Sequence, residues 1–103
     1  MISEHDVVLD GVRLHYATAG SGPAIVLVPG QSFPWQSYSK VMPLLAKQHR
    51  VFAIDVRGHG KSEHTPGRYT FGRCGKDLVA FLREVVREPA LLSGNSSGGL
   101  ICL

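Results

Sequence analysis

The chain is short of several things at once, and each shortage removes a class of protein. It has only two cysteines, Cys74 and Cys102, in 103 residues. They stand far apart, and neither has a histidine or a second cysteine at the spacing of a zinc-ligand pair. Neither a disulfide-stapled scaffold nor a metal site is therefore expected. Long apolar runs are missing too: the longest purely aliphatic stretch covers residues 24–28, against the roughly 20 residues of a membrane-spanning helix. The opening "MISEHD" lacks the basic start and apolar core of a secretory signal, which leaves the cytoplasm as the expected setting. Basic residues outnumber acidic ones by only 11 to 8 and are scattered singly from Arg13 to Arg87. Without a stripe or run they read as a solvated surface, not as a footprint for nucleic acid.

What is present is the balance of a globular sequence, 44% hydrophobic and 18% charged, with no internal repeat or low-complexity stretch. "VVLDGVRLHY" places Asp10-Gly11 between two β-rich flanks, a hairpin signal because Gly tolerates positive φ. Val12, Leu14 and Tyr16 then alternate with Arg13 and His15, so one buried face is expected, with His15 facing solvent. "AIVLVPG" is continuously apolar and β-branched, as in a strand covered on both faces. Trp35, Tyr38, Met42 and Leu45 recur at steps of three and four, an apolar helical face that must begin near Pro43 or kink there. "RVFAID" reads as the next buried strand. Thr70 is placed to cap a helix carrying Leu78, Phe81, Leu82 and Val85 on one face, and "ALLS" after Pro89 reads as a third buried strand. Strands alternating with helices imply parallel pairing, right-handed crossovers and an α/β sheet covered on both faces. The glycine-bearing loops after Val28, Asp55 and Ser93 then fall together at the carboxyl edge of that sheet, where reactive groups gather.

Gly94-Asn95-Ser96-Ser97-Gly98 fits the pattern G-x-S-x-G between a strand and an apolar helix start. Such a turn holds its serine in a sparsely populated backbone conformation, at a cost of roughly 1–3 kcal/mol. The small residues on either side let strand and helix approach. The arrangement projects the Ser96 hydroxyl as a nucleophile and places the Ser97 N–H to stabilise an oxyanion. The second oxyanion donor is expected from the turn after the preceding central strand, "VPGQS", where Gly30 permits the turn and the Gln31 N–H is the candidate. Gly30, Gly94 and Gly98 serve as turn and elbow glycines.

Taken together, "GSGPAIVLVPG", "RVFAIDVRGHGKS" and "GNSSGG" resemble the α/β-hydrolase superfamily in order and spacing, across nearly the whole chain. The resemblance implies the N-terminal half of an α/β-hydrolase fold: a mostly parallel sheet with an N-terminal β-hairpin and helices on both faces. It implies Ser96 as nucleophile, with Gln31 and Ser97 as backbone oxyanion donors and no cofactor or metal. Two positions depart from many members, Pro29 and Asn95 standing where a histidine is common. Dehalogenases and epoxide hydrolases of the family use an aspartate as nucleophile. Ser96 points instead to acyl-enzyme cleavage of a small-molecule ester, lactone, thioester or amide.

A serine of this kind needs a base and an orienting carboxylate, which in this family follow it in the chain. None of the seven residues after Ser96 is acidic or histidine. His59 and His64 lie in the loop after Asp55 and read as packing or rim residues, and His5 and His49 need no role. Residues 1–103 are therefore expected to be the N-terminal part of one larger hydrolase domain, inactive alone. With the strand at residues 90–93 unpaired on one side, the isolated polypeptide is expected to be poorly soluble or loosely folded. The expected partner is a small-molecule substrate, with no nucleic acid and no membrane. Two alternatives remain open: a non-catalytic ligand-binding protein on the same fold, and a phosphate cradle at a helix N-terminus, which lacks the lysine of a P-loop.

Overall fold

Asp10 and Gly11 adopt φ angles of 49° and 82°, the paired positive values of a two-residue hairpin turn whose twist matches its strands. β1 (Ser3–Leu9) and β2 (Val12–Ala19) accordingly run antiparallel, with Leu9 opposite Val12 and Asp6 opposite His15. This is a computed structural model, and it describes residues 2–30, 33–64 and 70–94. Three further strands follow: β3 (Ala24–Val28), β4 (Arg50–Ile54) and β5 (Ala90–Gly94). The sheet order is β1-β2-β4-β3-β5. β3 pairs in parallel with both β4 and β5, while β2 meets β4 antiparallel. The result is a mixed sheet with a parallel half and a leading hairpin, as the strand–helix alternation predicts.

Each central strand feeds two cores because successive side chains point to opposite faces. Val26, Val28, Phe52 and Ile54 pack on one face with Leu78 and Phe81. Ile25, Leu27, Val51 and Ala53 pack on the other with Trp35 and Met42. The first face is covered by α2 (Phe71–Phe81), whose N-terminus is closed by the Thr70 hydroxyl accepting the Arg73 N–H at 3.1 Å. The helix continues as one π-helical turn, Leu82–Val86, and stops at Arg87, whose φ is 61°. Phe81 is fully buried and meets Tyr16 and Phe52 edge-on, at ring separations of 5.0 and 5.8 Å. The opposite face is covered by a 3-10 turn, Trp35–Tyr38, and by α1 (Met42–Leu45), with Pro43 in its first turn where a missing N–H costs nothing. The predicted apolar face is present, broken into two short helices by Pro43. No helix among the described residues is long and apolar enough to cross a membrane.

One expectation is corrected here. Alternation along β2 predicts an exposed His15, yet it is only 6% exposed. The second face of β2 is covered as well: Ala17 and Ala19 pack with Trp35 and Met42, and Glu4, Asp6 and Ser62 close on His15. Among the described residues β5 pairs only with β3, with Leu91 68% and Leu92 38% exposed.

Candidate active site

Because β3, β4 and β5 are parallel, their carboxyl ends lie at one edge. The register sharpens this: Val28, the last residue of β3, stands opposite Gly94, the last residue of β5. The turn that starts at Pro29-Gly30 and the G-x-S-x-G segment that starts at Gly94 therefore leave adjacent strands side by side. Gln31, Ser96, Ser97 and Gly98 lie outside the described residues. Gly30 and Gly94 are described: Gly30 lies two residues past the end of β3, and Gly94 is the last residue of β5.

The turn after β3 is held from several sides. The Gly30 carbonyl accepts the Phe33 N–H at 3.1 Å, and the Tyr38 hydroxyl donates to the Val28 carbonyl at 3.1 Å. At the far end the Trp35 N–H donates to Oδ1 of Asp55 at 2.7 Å. Asp55 directly follows β4 and is 1% exposed. Its Oδ2 accepts the Lys61 N–H at 3.0 Å, and its carbonyl accepts the Ser62 hydroxyl at 2.5 Å. Gly60 is compact out of necessity: its φ is 51°, and a Cβ there would run into the Asp55 carboxylate. One buried carboxylate thus ties the loop after β3 to the loop after β4.

The second loop is anchored to α2 by Arg57, whose Nε and Nη2 donate to the two carboxylate oxygens of Asp77 at 2.6 and 2.7 Å. Both side chains are nearly buried, 6% and 10% exposed. The hydrogen bonds to Asp77 raise the pKa of Arg57 further, against the opposing effect of burial. Arg57 is not one of the solvated charges that scattered basic residues suggest. His59 is half-buried, with Nδ1 at 3.1 Å from the Arg57 carbonyl, and His64 is exposed, which agrees with packing and rim roles. Cys74 is a free, buried thiol whose pKa is raised by burial and then by Asp77, so it is not a reactive nucleophile. No group of three or more metal-ligating side chains occurs among the described residues.

A third cluster brackets the same loops from the hairpin side. The two ring nitrogens of His15 lie 2.7 Å from Glu4 Oε1 and 2.7 Å from Asp6 Oδ1. The Trp35 indole N–H also reaches Glu4, at 3.3 Å, and the His15 N–H donates to Ser62 Oγ at 2.7 Å. Burial pulls the His15 pKa down, but its hydrogen bonds to Glu4 and Asp6 outweigh it and hold the imidazole above its ordinary value. Glu4 is held below its ordinary value, chiefly by its hydrogen bond to His15.

Asp55, the Arg57–Asp77 pair and His15 are all missed when residues are taken singly. One signal was present: counting outward from the Asp10–Gly11 turn puts Asp6 opposite His15, with Glu4 one pleat further along the same face.

Residues 25–103 match the alpha/beta hydrolase family. The chain is 45% identical over 100 residues to the soluble epoxide hydrolase of Corynebacterium sp. (strain C12), covering 97% of this chain and 35% of that protein. The solved structure of the epoxide hydrolase CorEH without ligand superposes with a TM-score of 0.94 at 31% identity, over 99% of this chain and 36% of that one. A bacterial membrane phospholipase A structure superposes with a TM-score of 0.93 at 27% identity, over 97% of this chain and 33% of that one. The chain spans only 17% to 35% of the length of curated relatives it matches.

Proposed function

The chain belongs to the alpha/beta hydrolase family, and from that premise we propose that it is the nucleophile-bearing N-terminal part of a larger hydrolase domain that works through an acyl-enzyme. Ser96 attacks the carbonyl of a small-molecule ester, lactone, thioester or amide. The Gln31 and Ser97 N–H groups receive the oxyanion, and Gly30, Gly94 and Gly98 let the two turns approach. The base and orienting carboxylate come from outside residues 1–103. The observation that carries this reading is the register of Val28 against Gly94, which sets the origins of the two turns side by side. No metal or organic cofactor enters the proposed chemistry, and neither nucleic acid nor a membrane is a proposed partner.

The relatives' names favour a second reading, epoxide hydrolysis. The residue at the elbow argues against its covalent form. A carboxylate that opens an epoxide leaves an ester, which water can cleave. A serine hydroxyl leaves an ether, which has no carbonyl for water to attack and does not turn over. Attack by Ser96 on a carbonyl leaves an ester and completes the cycle. The full-length protein, given a p-nitrophenyl ester and, separately, styrene oxide, is expected to release nitrophenol with a pre-steady-state burst and to form no diol. Diol formation without ester turnover would overturn the acyl-enzyme reading.

A further inference from the structure

We infer that Asp55 is a positioning residue that sets the oxyanion-binding power of the edge by fixing the turn after β3. The inference rests on the acyl-enzyme reading above and names how this chain maintains the geometry that reading needs. An oxyanion donor works when its N–H is held in place before charge develops, so whatever fixes its loop is part of the catalyst. The turn after β3 has two described ends. Its start is fixed by continuity with the buried Val28 and by the Tyr38 hydroxyl on the Val28 carbonyl. Its finish is fixed by the Trp35 N–H on Asp55 Oδ1, at 2.7 Å.

Three features make Asp55 more than a chance partner for that N–H. It is buried to 1% exposure, so water does not replace the bond when it is lost. Its second oxygen is engaged by the Lys61 N–H, and Gly60 packs against it where no side chain fits, so the carboxylate cannot swing away. Its own backbone is tied down on both sides: its N–H donates to the His15 carbonyl at 2.9 Å, and its carbonyl accepts the Ser62 hydroxyl. Ser62 in turn accepts the His15 N–H. The carboxylate is therefore fixed to β2 and to the loop after β4, and it passes that rigidity to the turn after β3. Loss of this link removes the backbone anchor at the finish of the turn and leaves there only the buried Trp35 side chain with its indole N–H on Glu4, so that the slack falls on the oxyanion donor of the proposed mechanism.

The test uses the full-length protein with Asp55→Asn and Asp55→Ala. Asparagine keeps an oxygen for the Trp35 N–H but turns an NH2 toward the Lys61 N–H, while alanine offers no acceptor. The expected order of kcat with a chromogenic ester is wild type, then Asn, then Ala. Ala should lose about 100-fold, the scale of a lost or misplaced oxyanion donor, with KM changed less than twofold. Affinity for a boronic acid, which forms a tetrahedral adduct on the serine, should fall in parallel with kcat, and hydrogen exchange at the Trp35 amide should accelerate in the same order. Wild-type kcat in Asp55→Ala, or equal losses in kcat and boronate affinity for Asn and Ala together with a collapsed thermal transition, would overturn the inference. A wild-type protein that takes up no fluorophosphonate at Ser96 removes the acyl-enzyme reading instead. Trp35 exchange still tests the Asp55 link in that case, and unchanged exchange in Asp55→Ala would sink it.

Discussion

Asp77→Ala should destabilise the protein more than any exposed substitution, and the size follows from where Arg57 sits. The pair is bidentate, at 2.6 and 2.7 Å, with both side chains nearly out of solvent. Removing the carboxylate leaves the Arg57 guanidinium buried beneath α2 without its principal counter-charge. Breaking a buried pair in this way costs about 3–5 kcal/mol, against a few tenths to about 1 kcal/mol for an exposed pair such as Arg83–Glu84. Asp77→Asn keeps one acceptor and should lose less. The double variant Arg57→Met/Asp77→Leu removes the stranded charge as well as its partner, so it should be more stable than Asp77→Ala alone despite carrying two changes. Urea unfolding of the full-length proteins gives the comparison, read as a shift in midpoint at constant slope. A loss below about 1 kcal/mol for Asp77→Ala, in the range of an exposed pair, would refute the claim that this contact anchors the second loop to α2. A double variant less stable than the single would do the same.

Two further outcomes follow from local geometry. Thr70→Ala removes the side-chain acceptor for the Arg73 N–H and should cost about 1 kcal/mol, while Thr70→Asn, which can cap, should restore most of it; the same urea titration reads both. His15 carries a pH signature: because its folded pKa stands above the ordinary value of 6.5, its contribution to stability is complete below that value and disappears as pH rises through the folded pKa. Burial works against the rise, and the hydrogen bonds to Glu4 and Asp6 at the ring nitrogens outweigh it, with Asp55 adding at longer range; the cations Arg13 and Lys61 face the same carboxylates, Asp6 and Glu4. The melting temperature of wild type should exceed that of His15→Gln by more at pH 6 than at pH 9, and a gap that widens with pH would be wrong in sign.

Local rules sufficed wherever one residue type at one position decides the backbone. Asp10-Gly11 announces its hairpin because few pairs accept two positive φ angles, and Thr70 announces a helix start because its hydroxyl answers an orphan N–H. The parallel strands were legible from apolar runs that need cover on two faces, and the common edge of three loops follows from that parallelism. What was hidden depends on which neighbour arrives. His15 looks exposed by alternation until β1 and β4 flank β2 and the carboxylates of Glu4 and Asp6 close around it. Arg57 and Asp77 lie twenty residues apart, and only the docking of α2 brings them together. Asp55 falls inside a recognisable glycine-rich segment, but nothing local says that its carboxylate receives the N–H of Trp35.

The most direct test of the central claim is the mass of the full-length protein after treatment with a fluorophosphonate, followed by peptide mapping. A single adduct on the peptide containing Ser96, lost in Ser96→Ala while the fold persists, is the predicted result. No adduct, or an adduct that survives Ser96→Ala, would contradict the assignment of this serine as the nucleophile.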